Sequence, residues 1–557
     1  MLDLFETSWR DLWGDAAEAE PVGAVFTRPE IVALILDLAG YAPSAGRLAA
    51  KRVLEPSCGD GAFVAEVVAR LVESERQYCQ LDGWDDAVLD DALRAADISE
   101  SALVAARRII RERLVAGGCP VHRAKELSDR WTVHTDFLVA NWPDRFDLIA
   151  GNPPYVRIEA LPRRVLQRYR ARYRTLTDRA DIYVAFFERG LELLAPDGVL
   201  AFICANRFTK NQYGAALRSL IAEGYRVRYY VNLEHTQPFL TEVSAYPAIL
   251  VIDRHRGGPT LAVTLGDIEP ATLGQLHADA EKNGRARHSG PHAILSRFDR
   301  WYPEGGPWTT TRDDEHAAIA RINARYPTLE ESAPGTKVGI GVATGADRVF
   351  ILKGKHPDIE EDRQLPMLMA SNVSNQEIDW SGRYLINPFD EADDGSLVDL
   401  KEYPGLALYL EAHAAQLRSR HVAKSRPRAW YRTIDRVWPA LRHTPKLVIP
   451  DIQASTVIGY DEGRYYPHHN LYWITSNTWD LLALKTLLRS TVVFDQVRAY
   501  SVQMRGGSLR YQAQTLRRVR VPPLSSLSAD LVQRLAAAHA HDDQAVIDAT
   551  ATEAFNR

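Results

Sequence analysis

Cysteine is scarce and carries no pattern. Cys58, Cys79, Cys119 and Cys204 form no CxxC pair and no zinc spacing, which excludes a disulfide-stapled or zinc-ribbon design and fits a reducing cytoplasm. Long apolar runs are absent too. Nothing approaches the roughly 18–20 residues of a membrane span, and Met1-Leu-Asp-Leu-Phe-Glu6 lacks the basic, apolar character of a signal. No membrane partner is therefore expected. Positive charge is not in excess: 67 Lys and Arg stand against 72 Asp and Glu, so contact with nucleic acid has to come from local patches. The dinucleotide fingerprint is incomplete as well, because Gly59-Asp-Gly61 is followed by Val64 where a third glycine would stand. What remains is ordinary globular material, 46% hydrophobic over 557 residues, enough for two or three domains with large cores.

The most informative stretch is Asp147-Leu-Ile-Ala-Gly-Asn152-Pro153-Pro154-Tyr155. The apolar run from Phe146 to Ala150 reads as a buried strand that must leave its sheet at the two prolines, which cannot donate to a ladder. An amide, a carbonyl and an aromatic ring then sit at a strand's carboxyl end, where open α/β sheets bind ligands. Such a group suits methyl transfer to a planar amino nitrogen. Its lone pair is delocalised, and two acceptors on its hydrogens, the Asn152 oxygen and the Pro153 carbonyl, favour a pyramidal nitrogen that attacks without a strong base. Tyr155 would stack on the planar substrate. A plain surface turn uses the same dipeptides, so the neighbouring strand ends decide.

Upstream, Gly23-Ala-Val-Phe-Thr27-Arg-Pro29 starts a helix over Glu30 to Leu38. Arg52-Val-Leu-Glu55-Pro-Ser-Cys58-Gly59-Asp-Gly61 reads as strand, glycine turn and helix, with an acid that suits a cationic ligand better than a pyrophosphate. Leu93 to Ile98 is a second strand ending in Asp97, placed to accept ribose hydroxyls, after an insertion around Gln77–Asp91. Val133-His-Thr-Asp136-Phe137 supplies a third strand-end acid. Four strand ends in order, each with a polar group, form a specific pattern.

Glu55-Pro-Ser-Cys-Gly-Asp-Gly61, Asp97-Ile98, Asp136-Phe137 and Asn152-Pro-Pro-Tyr155 resemble motifs I to IV of S-adenosylmethionine-dependent DNA adenine-N6 methyltransferases. Their order, with Thr27-Arg-Pro29 ahead resembling motif X, is that of the gamma class, the TaqI-like group. The resemblance implies a Rossmann-like α/β class I methyltransferase domain over residues 1–255 with a mostly parallel seven-stranded sheet, and a β-rich α+β DNA target-recognition domain over 336–557. Between them Arg256-Gly-Gly-Pro259 reads as the break after the last sheet strand, and the polar stretch that follows, with aromatic clusters at Trp301-Tyr302 and Trp308, reads as a connector with a few strands over 256–335. It implies that Thr27, Glu55, Cys58, Gly59 and Gly61 face the methionine part of S-adenosylmethionine. Asp97 with Ile98 would take its ribose side and Asp136 with Phe137 its adenine amine, with Asn152 bordering the cofactor. Phe186, in a motif V-like Ala180-Asp-Ile-Tyr-Val-Ala-Phe186, would flank that adenine opposite Ile98. Asn152, Pro153, Pro154 and Tyr155 would be catalytic. Tyr155 and Phe239 would stack on a target adenine flipped out of double-stranded DNA. Leu194-Ala-Pro-Asp-Gly198 resembles motif VI, and departures are modest: Arg28 replaces a frequent proline, and Ser57 fills a variable position.

DNA contacts are expected in three basic stretches. Residues 157–179 hold eight arginines, Arg157, Arg163 and Arg164 among them, with Tyr169 and Tyr173 interleaved. Residues 401–450 carry ten Lys and Arg, including Arg432, and residues 501–520 carry five arginines, including Arg505 and Arg510; Trp430-Tyr-Arg432 and Tyr465-Tyr466-Pro-His468-His469 add aromatics and hydrogen-bonding groups near those patches. Val338 to Phe350, with its glycines, and Arg505-Gly-Gly-Ser-Leu-Arg-Tyr511 resemble the start and end of a TaqI-like specificity domain. His468-His469 has no partner ligand at useful spacing, so no metal is expected. Ala529 to Ala554 reads as one Ala-rich helix.

The expected activity is site-specific adenine methylation as the modification arm of a restriction–modification or phage-defence system. Any cognate endonuclease would be a separate protein, because the 22 residues before Gly23 are too few for a nuclease domain. Enzymes that methylate an RNA base or a protein glutamine amide share the tetrad, and the basic carboxyl-terminal half argues against them. A non-catalytic DNA-binding protein is the third possibility, opposed by the intact tetrad.

Overall fold

The computed structural model describes residues 9–556 apart from 15–24, 79–83, 85–86, 242–245, 256, 270, 275, 277–292, 299–300, 302–307, 309–312, 391–394 and 502–507. The chain forms two compact units, Met1–Asp313 and Asp314–Arg557.

The first unit is built on a nine-stranded sheet. Its strands are β1 (Val53–Glu55), β2 (Leu93–Asp97), β3 (Thr132–His134), β4 (Phe146–Gly151), β5 (Leu194–Ala205), β6 (Arg226–Asn232), β7 (Pro247–Asp253), β8 (Thr260–Leu265) and β9 (Ala293–Phe298). They are ordered β3-β2-β1-β4-β5-β7-β6-β8-β9. The first five neighbours pair in parallel, and β7 lies antiparallel between β5 and β6. Every residue of β1 and of β7 is buried, as continuous apolar runs require when helices cover both faces. On one face pack α2 (Pro29–Leu38), α3 (Ala62–Tyr78), α4 (Glu100–Ala116) and α5 (Val121–Trp131), and on the other α6 (Arg163–Arg172), α7 (Tyr183–Leu193) and α8 (Ala215–Gly224). A short helix, α1 (Trp9–Trp13), precedes them. On the second face Phe187 is fully buried against Phe202 and Phe208; truncating such a ring costs about 3–5 kcal/mol.

The chain builds outward from β1 to β3 and then returns to β4 on the other side of β1. That reversal is a topological switch point, and it opens a crevice at the carboxyl ends of β1 and β4. Two glycines shape the turn that follows β1. Gly59 and Gly61 adopt φ of 49° and 83°, which side-chain-bearing residues rarely reach, and a Cβ on Gly61 would lie 2.8 Å from Ile109.

Three expectations need correction. The sheet has nine strands, not seven, and Arg256-Gly-Gly-Pro259 does not end it: β8 pairs with β6, and β9 pairs with β8. Thr260–Leu265 and Ala293–Phe298 therefore belong to the first unit's sheet, and the second unit begins at Asp314. Trp301 packs on Tyr230 with ring centroids 4.9 Å apart, and Trp308 on Phe208 at 5.5 Å, so the aromatic clusters belong to the first unit's core. The carboxyl-terminal helix is two, Ala529–Ala538 and Gln544–Phe555, because the Asp543 side chain accepts from Ala545 N and starts a second helix. Both are packed in the second unit's core.

The second unit combines helices with two four-stranded sheets and a two-stranded one. One four-stranded sheet sets Lys337–Ile340, Leu471–Thr475, Lys446–Pro450 and Gly459–Asp461 side by side in that order. Within it the fully buried Lys446 Nζ meets Asp461 at 2.8 Å and also donates to the carbonyls of Leu441 and Thr444.

Candidate active site

The carboxyl ends of β1, β2, β3 and β4 converge on one cavity of about 290 Å³. Thr27, Glu55, Cys58, Gly59, Asp97, Ile98, Asp136, Phe137, Phe186 and the whole Asn152–Tyr155 tetrad line it. The parallel register explains the convergence, since β1 pairs with both β2 and β4, and β2 pairs with β3. Gly61 shapes the turn but does not line the cavity, and neither does Phe239.

Asn152 follows β4 directly, and its amide is held by its nitrogen. Nδ2 donates to Val25 O at 2.8 Å and to Thr27 Oγ1 at 3.2 Å. Asn152 Oδ1 is shielded from solvent and has no hydrogen-bond partner. A buried acceptor left this way costs about 1–3 kcal/mol, which an incoming N–H donor would recover. The Tyr155 hydroxyl is likewise buried and unpartnered. Burial, with the Cys204 thiol nearby, pushes its pKa well above the usual phenol range, so Tyr155 contributes a ring and a neutral hydroxyl rather than a base.

At the end of β1, Glu55 is buried and its Oε2 has no partner. Burial, then the charges of Asp60 and Asp97, push its carboxyl well above the usual range, against a backbone hydrogen bond from Val64. A buried acid of this kind takes up a cation readily. Asp97 accepts from Gly59 N at 3.0 Å and Ser99 N at 2.9 Å, and burial still raises its pKa. Phe186 and Phe137 pack with ring centroids 5.1 Å apart at the cavity wall.

Asp136 is more committed than its sequence position suggests. Its Oδ2 accepts from Trp13 Nε1 at 2.9 Å and from the Tyr169 hydroxyl at 2.6 Å, while Oδ1 accepts from Leu138 N at 2.9 Å. Trp13 and Tyr169 also line the cavity, and neither was anticipated there. The signal for Tyr169 lay in the four-residue spacing of Val165, Tyr169 and Tyr173, all buried; the two tyrosines are core residues, not part of a phosphate-contacting face. No local pattern marks Trp13.

The loop before α2 is tied to the segment after β6. Thr27 bridges Phe239, Arg28 N donates to Pro238 O at 3.0 Å, and Leu240 N donates to Phe26 O at 2.9 Å. Phe239 is 3% exposed and meets Tyr155 edge-on, with centroids 6.2 Å apart and planes at 79°. The two rings are neighbours, but not a parallel pair with room for a base between them.

Comparison with known proteins places this architecture. Residues 99–239 match the family model of the Eco57I restriction-modification methylase. Type II methyltransferase M.XhoI of Xanthomonas vasicola is 43% identical over 95% of this chain and 96% of its own length. Type II methyltransferase M.PaeR7I of Pseudomonas aeruginosa is 44% identical over 93% of this chain and 89% of its own. The chain belongs to the Type II methyltransferases. Among solved structures, the Type IIL restriction-modification enzyme MmeI in complex with DNA shares the fold with a TM-score of 0.64 at 11% identity, over 95% of this chain and 74% of that one.

The arginines anticipated on this methyltransferase's surface separate into two groups. Arg157 is exposed, and Arg163, Arg164 and Arg168 are exposed with no side-chain ion pair or hydrogen bond among the described residues. Arg432 and Arg510 are occupied. Arg432 is half-buried, bonded to Thr433 O at 3.2 Å, and burial lowers its pKa. Arg510 pairs with Asp451 through two nitrogens. Trp430 and Tyr466, anticipated beside the basic patches, are core residues. Arg505 lies outside the described residues. No helix among the described residues is long and apolar enough to cross a membrane. His468-His469 does acquire a neighbour that its sequence spacing hides: Asp347, whose carboxylate lies within 4.8 Å of ring nitrogens of both.

Proposed function

We propose that this methyltransferase moves the methyl group of S-adenosylmethionine to the N6 amine of an adenine flipped out of double-stranded DNA, as the modification arm of a restriction–modification system. The observation that carries this reading is Asn152, fixed by its nitrogen and left with a buried, unpartnered oxygen in a tetrad that lines the cavity. An acceptor with no donor asks for an N–H, and an exocyclic amine supplies two.

The donor chemistry around the cavity fits the cofactor. Glu55 offers a buried, unpartnered carboxyl oxygen for a cationic methionine head, Asp97 a strand-end carboxylate for ribose hydroxyls, and Phe186 with Phe137 an aromatic wall for a purine. When bound, S-adenosylmethionine supplies an electrophilic methyl on a sulfonium. The chain's own groups orient the acceptor. Asn152 Oδ1 accepts a hydrogen bond from one N–H of the amine and localises the nitrogen lone pair, and the Pro153 carbonyl accepts one from the other N–H; once methylated, the nitrogen gives up one proton to solvent. Tyr155 presents its ring to the base. No general base is required, in keeping with the high pKa of Tyr155. An amine inside a duplex is out of reach of buried groups, so the base must leave the stack at a cost of a few kcal/mol. The exposed Arg157, Arg163, Arg164 and Arg168 supply phosphate contacts, and the second unit supplies sequence choice.

Side-by-side transfer of labelled methyl to duplex DNA, RNA and protein tests this reading. Incorporation into duplex DNA is expected; incorporation into glutamine side chains or RNA alone would replace it with the alternative that shares the same planar NH2 chemistry.

A further inference from the structure

We infer that Asp347, His468 and His469 form a binding site for a divalent transition-metal ion of the zinc class in the second unit. Sequence spacing separates the aspartate from the histidines by more than a hundred residues, yet one ligand atom from each lies within 4.8 Å of the others. The backbone holds the three in place. Val342 bridges His468, His469 N donates to Val342 O at 3.1 Å, and His468 N donates to Leu368 O at 3.0 Å. The helical turn that Asp347 opens is thereby laced to the segment, between the strands Tyr466–Pro467 and Leu471–Thr475, that carries both imidazoles.

The distances favour a shared ion over a simple ion pair. His468 Nε2 and Asp347 Oδ2 are 3.3 Å apart. A charge-assisted N–H···O bond closes to about 2.7–2.9 Å, whereas two ligands about 2.0–2.1 Å from a tetrahedral ion are separated by roughly 3.3–3.4 Å. The outer contacts have the same character. His468 Nδ1 meets Asn470 Oδ1 at 2.8 Å, which places the ring proton on Nδ1 and turns the Nε2 lone pair toward Asp347. Asp347 Oδ1 accepts from Thr344 Oγ1, which leaves Oδ2 as the coordinating oxygen. His468 is buried while Asp347 and His469 are exposed, so an ion can enter and keep water in its remaining positions. Two imidazoles and one carboxylate select zinc, cobalt or nickel over magnesium or calcium, which take oxygen ligands.

The test uses the full chain, stripped with a chelator and titrated with Co²⁺ followed by absorbance, then with Zn²⁺ in competition. One equivalent of Co²⁺ with tetrahedral ligand-field bands, displaced by Zn²⁺ and indifferent to Mg²⁺, is expected. Asp347→Asn and His469→Ala, both at exposed positions, should abolish it with the chelated protein's circular dichroism unchanged. Asn470→Ala should weaken it by about tenfold or more, as loss of an outer-shell partner does. Absence of saturable binding, or equal binding by the variants, would overturn the assignment.

Discussion

Replacing Asn152 with alanine separates its catalytic role from its structural one. The side chain makes two hydrogen bonds through Nδ2, to Val25 O and Thr27 Oγ1, together worth about 1–3 kcal/mol of stability. It also carries one buried, unpartnered acceptor, whose removal returns about 1–3 kcal/mol. The two effects nearly cancel, so Asn152→Ala should fold with a thermal midpoint close to that of the parent. Its turnover should fall by about 10²–10³ or more, the loss seen when a preorganised polar group at the reacting centre is deleted. Asn152→Asp sharpens the argument. It keeps an acceptor but sets an oxygen against the Val25 carbonyl at the 2.8 Å now bridged by an N–H, so it should be less stable than the alanine variant. Single-turnover methyl transfer, calorimetric cofactor binding and thermal unfolding on both variants decide. Near-parental transfer by Asn152→Ala would refute the role given to the amide. Loss of cofactor binding with transfer intact at saturating cofactor would make Asn152 a cofactor ligand only.

Glu55→Gln tests the cation-binding acid. Because burial raises the folded carboxyl above its ordinary 4.5, the ligand-free parent should lose stability relative to the variant as pH climbs from there through the raised value; thermal midpoints across pH show it. Cofactor binding by the parent should tighten over that same interval with proton release, seen by calorimetry in two buffers, and the variant should bind weakly with neither effect. Combined Arg163→Ala, Arg164→Ala and Arg168→Ala should flatten the salt dependence of DNA affinity by about 0.9 in log–log slope for each phosphate no longer neutralised, while an unchanged slope would remove α6 from the interface. Lys446→Met leaves the buried Asp461 carboxylate with no cation and only the backbone N–H groups of Gly463, Arg464 and Tyr465, and should cost about 3–5 kcal/mol in denaturant unfolding; a cost under about 1 kcal/mol would show the pair to be dispensable.

The strand ends are legible in the sequence because each joins an apolar run to a polar residue at a break in periodicity. Glu55, Asp97, Asp136 and Asn152 therefore read in the right order, and the cavity collects all four. Partners far away in the chain are not legible. Trp13 reaches Asp136 across 123 residues and Asp347 reaches His468 across 121, separations that no local pattern encodes. β8 and β9 escape for a related reason: Arg256-Gly-Gly-Pro259 is a turn by composition, and turn residues do not say whether the next strand joins the same sheet. The basic stretches mislead through averaging. Counting charge cannot distinguish Arg163, whose side chain has no ion pair among the described residues, from Arg510, which is bound to Asp451. Nor does it reveal that Tyr169 and Tyr173 face inward.

The most direct test of the central claim is modified-base sequencing of unmethylated genomic DNA after incubation with the purified chain and S-adenosylmethionine. The account predicts N6-methyladenine at one recurrent sequence motif and nowhere else, absent when Asn152→Ala replaces the parent. Methylation on cytosine, or DNA left unmodified by protein that binds the cofactor, would contradict it.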